Sequence, residues 1–381
     1  MKIVLAPDSF KGSLTAIQAA QAMAEGISDV DPTIKTLILP VADGGEGTMT
    51  SLVYATEGTI VSVVVQDPLG RKVMASYGVL GDGETCVIEI AEASGLMLLT
   101  EEEKDPFVTT TFGTGELLVH ALDAGLRKFI IGLGGSATND GGGGLLQALG
   151  MKLLDVNGVE LPRGGGSLNE LHAIDQSHFD ERISRSHFLI ACDVENPLVG
   201  PTGASVVFGP QKGASPEMVE VLDYNLKKFA AVVEECSGVA LLGRKGAGAA
   251  GGAGGAFQAF FPGEIKQGIS VVLDAISFAE QVTDADLILT GEGRTDSQTL
   301  SGKTPFGIAK VAEGERKPVI LISGVVDVES RELLTPFFTE LHAIADGTVS
   351  PKESIEKASY YLRVKTKSVI KNYVNLHKSR H

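Results

Sequence analysis

Short apolar runs that end in loops of glycine, aspartate and serine, each followed by a helical pattern, recur along this chain and restrict its fold class. Residues 2–6 run into Pro7-Asp-Ser-Phe-Lys-Gly-Ser13, and residues 35–40 run into Ala42-Asp-Gly-Gly-Glu-Gly-Thr48. Residues 129–133 feed the longest such loop, Gly132-Leu-Gly-Gly-Ser-Ala-Thr-Asn-Asp-Gly-Gly-Gly-Gly144, and residues 187–192 precede Asp193-Val-Glu-Asn-Pro197. Residues 286–290 end in Gly291-Glu-Gly-Arg-Thr-Asp296. Continuous apolar strands alternating with helices predict a parallel, doubly wound α/β sheet. Such sheets bind ligands in loops off the carboxyl ends of their strands.

The pattern changes in the middle of the chain. Residues 59–66 and 71–80 flank Asp67-Pro-Leu-Gly70 and read as a β-hairpin, with a third strand over 85–90. A mixed sheet is therefore expected there, as a second α/β domain inserted into the first. The boundaries predicted are 1–58 plus 265–381 for the discontinuous Rossmann/flavodoxin-like domain and 59–264 for the insert, with the active site in the interdomain cleft. Further expected elements are a helix from Thr15-Ala-Ile-Gln18, a capping-box pattern, to about Gly26, and helices over 115–125, 216–236 and 352–374. Strands are expected over 318–323 and 341–345, with a basic tail at the end. Residues 243–255 hold seven glycines in thirteen positions and read either as a hinge between domains or as a second loop closing over a ligand.

At 381 residues with 47 glycines, the chain is long enough for two domains and unusually rich in residues suited to functional backbone loops. Its 48 acidic against 32 basic residues argue against nucleic acid or an anionic membrane as partner. The absence of Trp argues against an aromatic stacking surface. No apolar run reaches the roughly 20 residues of a membrane span. The sequence opens directly on a strand, so no signal peptide is expected, and three scattered cysteines, Cys86, Cys192 and Cys236, fit structural thiols in a reducing, cytoplasmic setting. The seven histidines (120, 172, 178, 187, 342, 377, 381) show no metal-binding spacing and read as core or surface residues.

The loops carry Asp8, Asp43, Glu46, Asp140, Asp193, Glu292 and Asp296 with Lys11 and Arg294 beside them. Bare N–H groups of a Gly-rich loop hold anions, and carboxylates suit Mg²⁺ bridging phosphates, so the set meets the needs of phosphoryl transfer. Each carboxylate also has a structural reading as a helix cap or turn. Ser301-Gly-Lys-Thr304 is not a Walker loop, because Ser297 stands where its glycine belongs, and Lys303 reads as a helix-entry residue. Phe208-Gly-Pro-Gln-Lys-Gly213 reads as a turn with an exposed lysine, solvated or ligand-bound. A rival is an NAD-dependent dehydrogenase, since Gly132 to Ala137 fits G-x-G-x-x-A and Asp155 falls near the ribose position. Against it, Thr138 to Gly144 interrupts the helix that should follow, leaving about six helical residues. A two-lobed small-anion binding protein is the other alternative, though it has little use for so many carboxylates.

Ala6 to Ser13, Ala42 to Thr48, Gly132 to Gly142, Ala191-Cys-Asp-Val-Glu-Asn-Pro-Leu198, Val207-Phe-Gly-Pro-Gln-Lys-Gly-Ala214 and Thr290-Gly-Glu-Gly together resemble the bacterial type I glycerate kinase family, collinearly from residue 1 to about 370. Glu195 stands at a position where the family pattern takes Asp or Glu. The resemblance implies ATP- and Mg²⁺-dependent phosphorylation of D-glycerate, with the 2-position favoured, and two α/β domains. On that basis Asp193 and Lys11 are the expected catalytic residues. Asp8, Ser9, Asn196, Arg294 and Lys303 are expected to bind substrate. Gly134, Gly135, Ser136, Thr138, Asn139 and Lys212 are expected to bind ATP, and Asp43, Glu46, Glu292 and Asp296 the metal. A homodimer is compatible with the sequence.

Overall fold

Among the described residues, the two largest sheets hold eleven strands, and each sheet belongs to its own unit. In the computed structural model, residues 1–378 are described; the end of the basic tail and His381 lie outside the described residues, as do the side chains of Ser301, His377 and Lys378. In chain order the strands are β1 (Lys2–Leu5), β2 (Lys35–Ile38), β3 (Thr59–Gln66), β4 (Lys72–Val79), β5 (Thr85–Glu89) and β6 (Lys128–Gly132). They continue with β7 (His187–Ala191), β8 (Gly263–Lys266), β9 (Leu287–Thr290), β10 (Val319–Ser323) and β11 (Glu340–Ala343).

The first unit comprises residues 1–43, 50–57 and the chain from 269 onward. Its sheet has the order β11-β10-β9-β1-β2 and every pairing is parallel, with Ile3 opposite Leu287 and Ile288 opposite Val319. The three central strands are buried along most of their length, as continuous apolar sequence in a parallel sheet requires. One face is covered by the helix Ala16–Ser28, which starts at the capping box read from the sequence: Thr15 Oγ1 accepts the Gln18 N–H and Gln18 Oε1 accepts the Thr15 N–H. Met23 and Ile27 pack from that helix onto Leu362 and Ile370 of the helix Ala358–Lys378. At Gly26 the two backbones come so close that a Cβ would lie 2.5 Å from the Arg363 carbonyl oxygen. The C-terminal helix expected as one piece is two, Pro351–Glu356 and Ala358–Lys378, because Lys357 leaves helical geometry at φ −124°.

The second unit comprises residues 44–49 and 58–268. Its sheet runs β8-β7-β6-β5-β4-β3: β3, β4 and β5 pair antiparallel and the rest parallel, so the sheet is mixed. The hairpin pairs Thr59 with Val79 and Gln66 with Lys72, and Asp67 ties its turn by accepting the Leu69 and Arg71 N–H groups. Phe129 and Phe188, side by side on β6 and β7, stack at 4.9 Å in the core.

The hinge reading of residues 243–255 is corrected here. The segment lies wholly within the second unit and is buried from Gly246 onward. The Gly141 N–H donates to the Gly251 carbonyl, and a Cβ at Gly251, whose φ is +66°, would lie 1.9 Å from the Thr138 carbonyl oxygen. Its glycines let one backbone lie against another, and the chain then continues as the helix Ala253–Phe260.

Candidate active site

In the first unit, the expected residues cluster at the carboxyl ends of β1 and β9. The Asp8 N–H donates to the Gly291 carbonyl oxygen, which joins the two loops directly. Asp8 itself accepts from the Thr304 hydroxyl at 2.6 Å and from the Ser9 N–H, also at 2.6 Å. Burial, reinforced by the neighbouring charge of Asp43 and more weakly of Glu292, pushes the Asp8 carboxyl up to about 7. Lys11 is exposed on the same loop, whose main chain passes Gly293: a Cβ there would meet the Lys11 nitrogen at 3.1 Å.

Glu292 is buried, and burial raises its pKa. One of its oxygens accepts from the Thr295 and Thr299 hydroxyls at 2.9 and 2.8 Å, and the other lies 4.0 Å from Lys303 Nζ. Asp296 is used structurally, capping the turn Ser297–Ser301 through the Gln298 N–H, with Arg294, exposed, at 3.7 Å. Thr295, Thr299 and Thr304 were not singled out from the sequence, since a lone threonine carries no distinctive spacing.

In the second unit, residues 44–49 meet the loops after β6 and β7, which in turn join those after β5 and β8. A Cβ on Gly134 would lie 2.9 Å from the Gly45 Cα, and one on Gly44 would lie 3.0 Å from the Ala191 Cβ, so these contacts require glycine. Glu46 is exposed in the segment 44–49, which follows β2 in the chain. Asp193, exposed, accepts the Gly268 N–H at 2.8 Å, and Asn196 donates to the Thr202 carbonyl. Glu89, unnoticed in the sequence because it ends an ordinary strand, accepts the Gly47 and Met49 N–H groups at the start of the helix Thr48–Ala55.

The long glycine-rich loop is pinned, not flexible. The Gly135 carbonyl accepts from the Leu96 N–H, the Ala137 N–H donates to the Ser94 carbonyl, and Thr109 Oγ1 donates to the Ala137 carbonyl. Asp140 is buried and accepts from the Thr111 N–H and hydroxyl and from the N–H groups of Gly142 and Gly144. Its structural reading therefore stands. Thr138 and Asn139 are buried too, and the Asn139 amide donates to Ser205 Oγ. By contrast, the N–H groups of Gly134, Gly135 and Ser136 donate to no acceptor among the described residues, and Gly135 turns the chain at φ +75°. Successive unpaired N–H groups around a left-handed turn are the makings of an anion site.

Lys212 corrects a second expectation. Far from exposed, it is 2 % accessible, and its Nζ donates to Ser136 Oγ at 3.0 Å and the Thr138 carbonyl at 2.6 Å. Its stem is packed in the interior because the turn Pro210–Lys212 follows directly on the helix Ala204–Phe208. Asp155, the residue expected of a dinucleotide site, holds its own turn through the Asn157 and Val159 N–H groups, and the helix after the glycine loop begins only at Gly143. Two of the histidines keep structural company: His120 meets the Tyr77 hydroxyl and His342 meets Glu340. Cys86, Cys192 and Cys236 are free thiols.

Among the described residues, no three His, Cys, Asp or Glu side chains are gathered closely enough to cage a metal. Asp43 and Glu292, each within electrostatic reach of Asp8, supply hard oxygen donors beside it. That donor set fits a cation that keeps its waters and bridges phosphates, the ordinary habit of Mg²⁺. No helix among the described residues is long and apolar enough to cross a membrane.

Comparison with known proteins assigns the loops to a common ancestry. The model of the family described as "Glycerate kinase family" matches residues 3–374. The glycerate kinase of Bacillus subtilis (strain 168) is 49% identical over 362 residues, 95% of each chain. The glycerate 2-kinase of Escherichia coli (strain K12) is 52% identical over 324 residues, 85% of each. A crystal structure assigned to glycerate kinase 2 from Salmonella typhimurium LT2 superposes with a TM-score of 0.89 at 45% identity, covering 100% of this chain and 99% of that one. The matches run nearly end to end, so the chain belongs to the glycerate kinase family and is a kinase with an alcohol group as acceptor.

Proposed function

We propose that the enzyme transfers the γ-phosphoryl group of ATP, with Mg²⁺, to the 2-hydroxyl of D-glycerate, giving 2-phosphoglycerate. The observation that carries the phosphate-handling part is the row of unpaired N–H groups at Gly134, Gly135 and Ser136 on a loop that is otherwise fastened throughout. A preorganised donor row costs no reordering when a phosphate arrives. The 2-position is favoured because a relative 52% identical is a glycerate 2-kinase.

Individual roles follow from residue chemistry. Lys11, an exposed cation at the end of β1, with Ser9 and Asp8 beside it, is suited to bind glycerate or the transferred phosphoryl group. Asp193, exposed and oriented by the Gly268 N–H, is suited to orient or deprotonate the acceptor hydroxyl, with Asn196 bracing its loop. Arg294 and Lys303 are further cations for the anionic substrate. Gly134, Gly135 and Ser136 cradle phosphates, with Thr138, Asn139 and Lys212 shaping the loop from the buried side. Asp43, Glu46 and Glu292 are the carboxylates that would hold Mg²⁺, and Asp296 a lesser candidate given its capping role. When bound, the ion would neutralise charge on the transferring phosphoryl group. The test is glycerate-dependent ADP formation with and without chelator, with ³¹P NMR of the product.

A further inference from the structure

Beneath the glycine-rich loop lies a lysine whose charge no anion contacts. The two acceptors of Lys212 Nζ, Ser136 Oγ and the Thr138 carbonyl oxygen, are both neutral. Among the described residues, no carboxylate lies within ion-pair distance of it. The one acid that acts on it is Asp140, whose oxygens already serve Thr110, Thr111, Gly142 and Gly144. Two other buried polar atoms of the same loop, Thr138 Oγ1 and Asn139 Oδ1, have no hydrogen-bond partner among the described residues. Burying an ammonium on neutral partners is costly, and an interior that accepts the cost without a direct counter-ion has a use for the charge. In the same loop the N–H groups of Gly134, Gly135 and Ser136 donate to no acceptor among the described residues, and Gly135 is exposed.

We propose that Lys212 is a positioning residue that couples phosphate binding to a proton: it fixes Ser136 and Thr138 from behind, and it becomes fully charged when a phosphate group occupies the row of N–H groups in front. This rests on the reading of that row as a phosphate site. The coupling is reciprocal by linkage. An anion on one side of the loop favours the ammonium on the other, and the ammonium favours the anion. Burial pushes the Lys212 pKa down to about 7, with Asp140 acting in the opposite sense, so near and above neutral pH the unliganded protein holds this lysine partly or mostly neutral. The proton taken up on binding comes from the buffer. Phosphate affinity should therefore fall as pH rises above neutrality, although an ADP phosphate, with a second pKa near 6, is already fully charged there.

The test is calorimetry of ADP binding to the full chain at pH 8, with and without Mg²⁺, in two buffers of different ionisation enthalpy. The expected result for the native protein is an uptake of more than about half a proton per ADP, as follows from a lysine moving from mostly neutral to charged. In Lys212→Met the uptake vanishes and ADP binds at least about tenfold more weakly. The KM for ATP rises accordingly, whereas the KM for glycerate stays within about twofold. Thermal stability of the variant at pH 8 is equal or higher, because the cost of burying a lysine on neutral partners, whether charged or stripped of its proton, has gone; a merely structural lysine would lower it. Native protein that binds ADP with no proton uptake overturns the proposal, whatever the variant does. So does a folded Lys212→Met that takes up the proton and binds as the native protein does. If ADP does not bind the native protein in either condition, the phosphate reading of the loop itself falls.

Discussion

The carboxylate of Glu89 accepts the backbone N–H of Met49 at 2.6 Å, forty residues back in the chain, and its other oxygen accepts that of Gly47 at 3.3 Å. One side chain at the end of β5 thereby closes the start of the helix Thr48–Ala55 and holds the loop that carries Glu46. Helix starts leave N–H groups without partners, and here a remote carboxylate supplies them. Replacing Glu89 by alanine would take the acceptor from the buried Met49 N–H and remove a second hydrogen bond at Gly47. A loss of about 1–3 kcal/mol of stability is expected, read as a fall in Tm in thermal melts. An unchanged Tm would mean that the contact is dispensable.

Glu89 and Asp8 make a joint prediction about pH. Burial first, then the neighbouring charges of Glu92 and Glu46, push Glu89 up to about 7, and Asp8 is pushed up to about 7 by burial and Asp43. Both folded values lie above the unfolded ones, so the folded state binds more protons between about pH 4 and 7. Their contribution to stability is complete below the unfolded pKa and is lost as pH rises through 7. Lys212, lowered to about 7, acts in the other sense, and its contribution grows as pH rises from 7 towards 10.5. Tm of the ligand-free protein should fall between pH 5 and 7.5, and the decline should flatten in the double variant Asp8→Asn, Glu89→Gln. A decline of equal slope in that variant would refute the assignment.

Asp140 should behave as a structural bracket. Its buried carboxylate receives the Thr111 N–H and hydroxyl and two glycine N–H groups, so Asp140→Ala strands several donors at once. A cost of about 3–5 kcal/mol is expected, as for breaking other buried charged networks. Denaturant unfolding measures it, and a cost below about 1 kcal/mol would remove Asp140 from that role.

The strands were legible because continuous apolar runs, a capping box at Thr15 and a turn at Asp67 are local signals, and local chemistry decided them. The loops were legible as places and less so as roles. Asp140 has the composition of a ligand, yet hydrogen bonds that occupy it come from Thr110 and Thr111 about thirty residues away, which no local pattern announces, whereas Asp296 caps its own turn through Gln298. Lys212, between Pro210 and Gly213, has the local look of a surface turn, and only tertiary packing puts its stem inside. The run of glycines from 243 to 255 has the composition of a linker and is instead a place where backbones touch, a distinction that composition does not carry.

Asp193→Asn separates chemistry from fold. The substituted side chain still offers an oxygen to the Gly268 N–H, so Tm should stay within a degree or two. Loss of the general base should lower kcat by about 10²–10⁴-fold. Near-normal kcat would take Asp193 out of that role.

The most direct test of the proposed reaction is ³¹P NMR of the product formed from ATP and D-glycerate by the full chain. The expected result is a 2-phosphoglycerate resonance that grows in step with ADP and disappears when Mg²⁺ is chelated. A 3-phosphoglycerate resonance, or product formation that survives chelation, would contradict it.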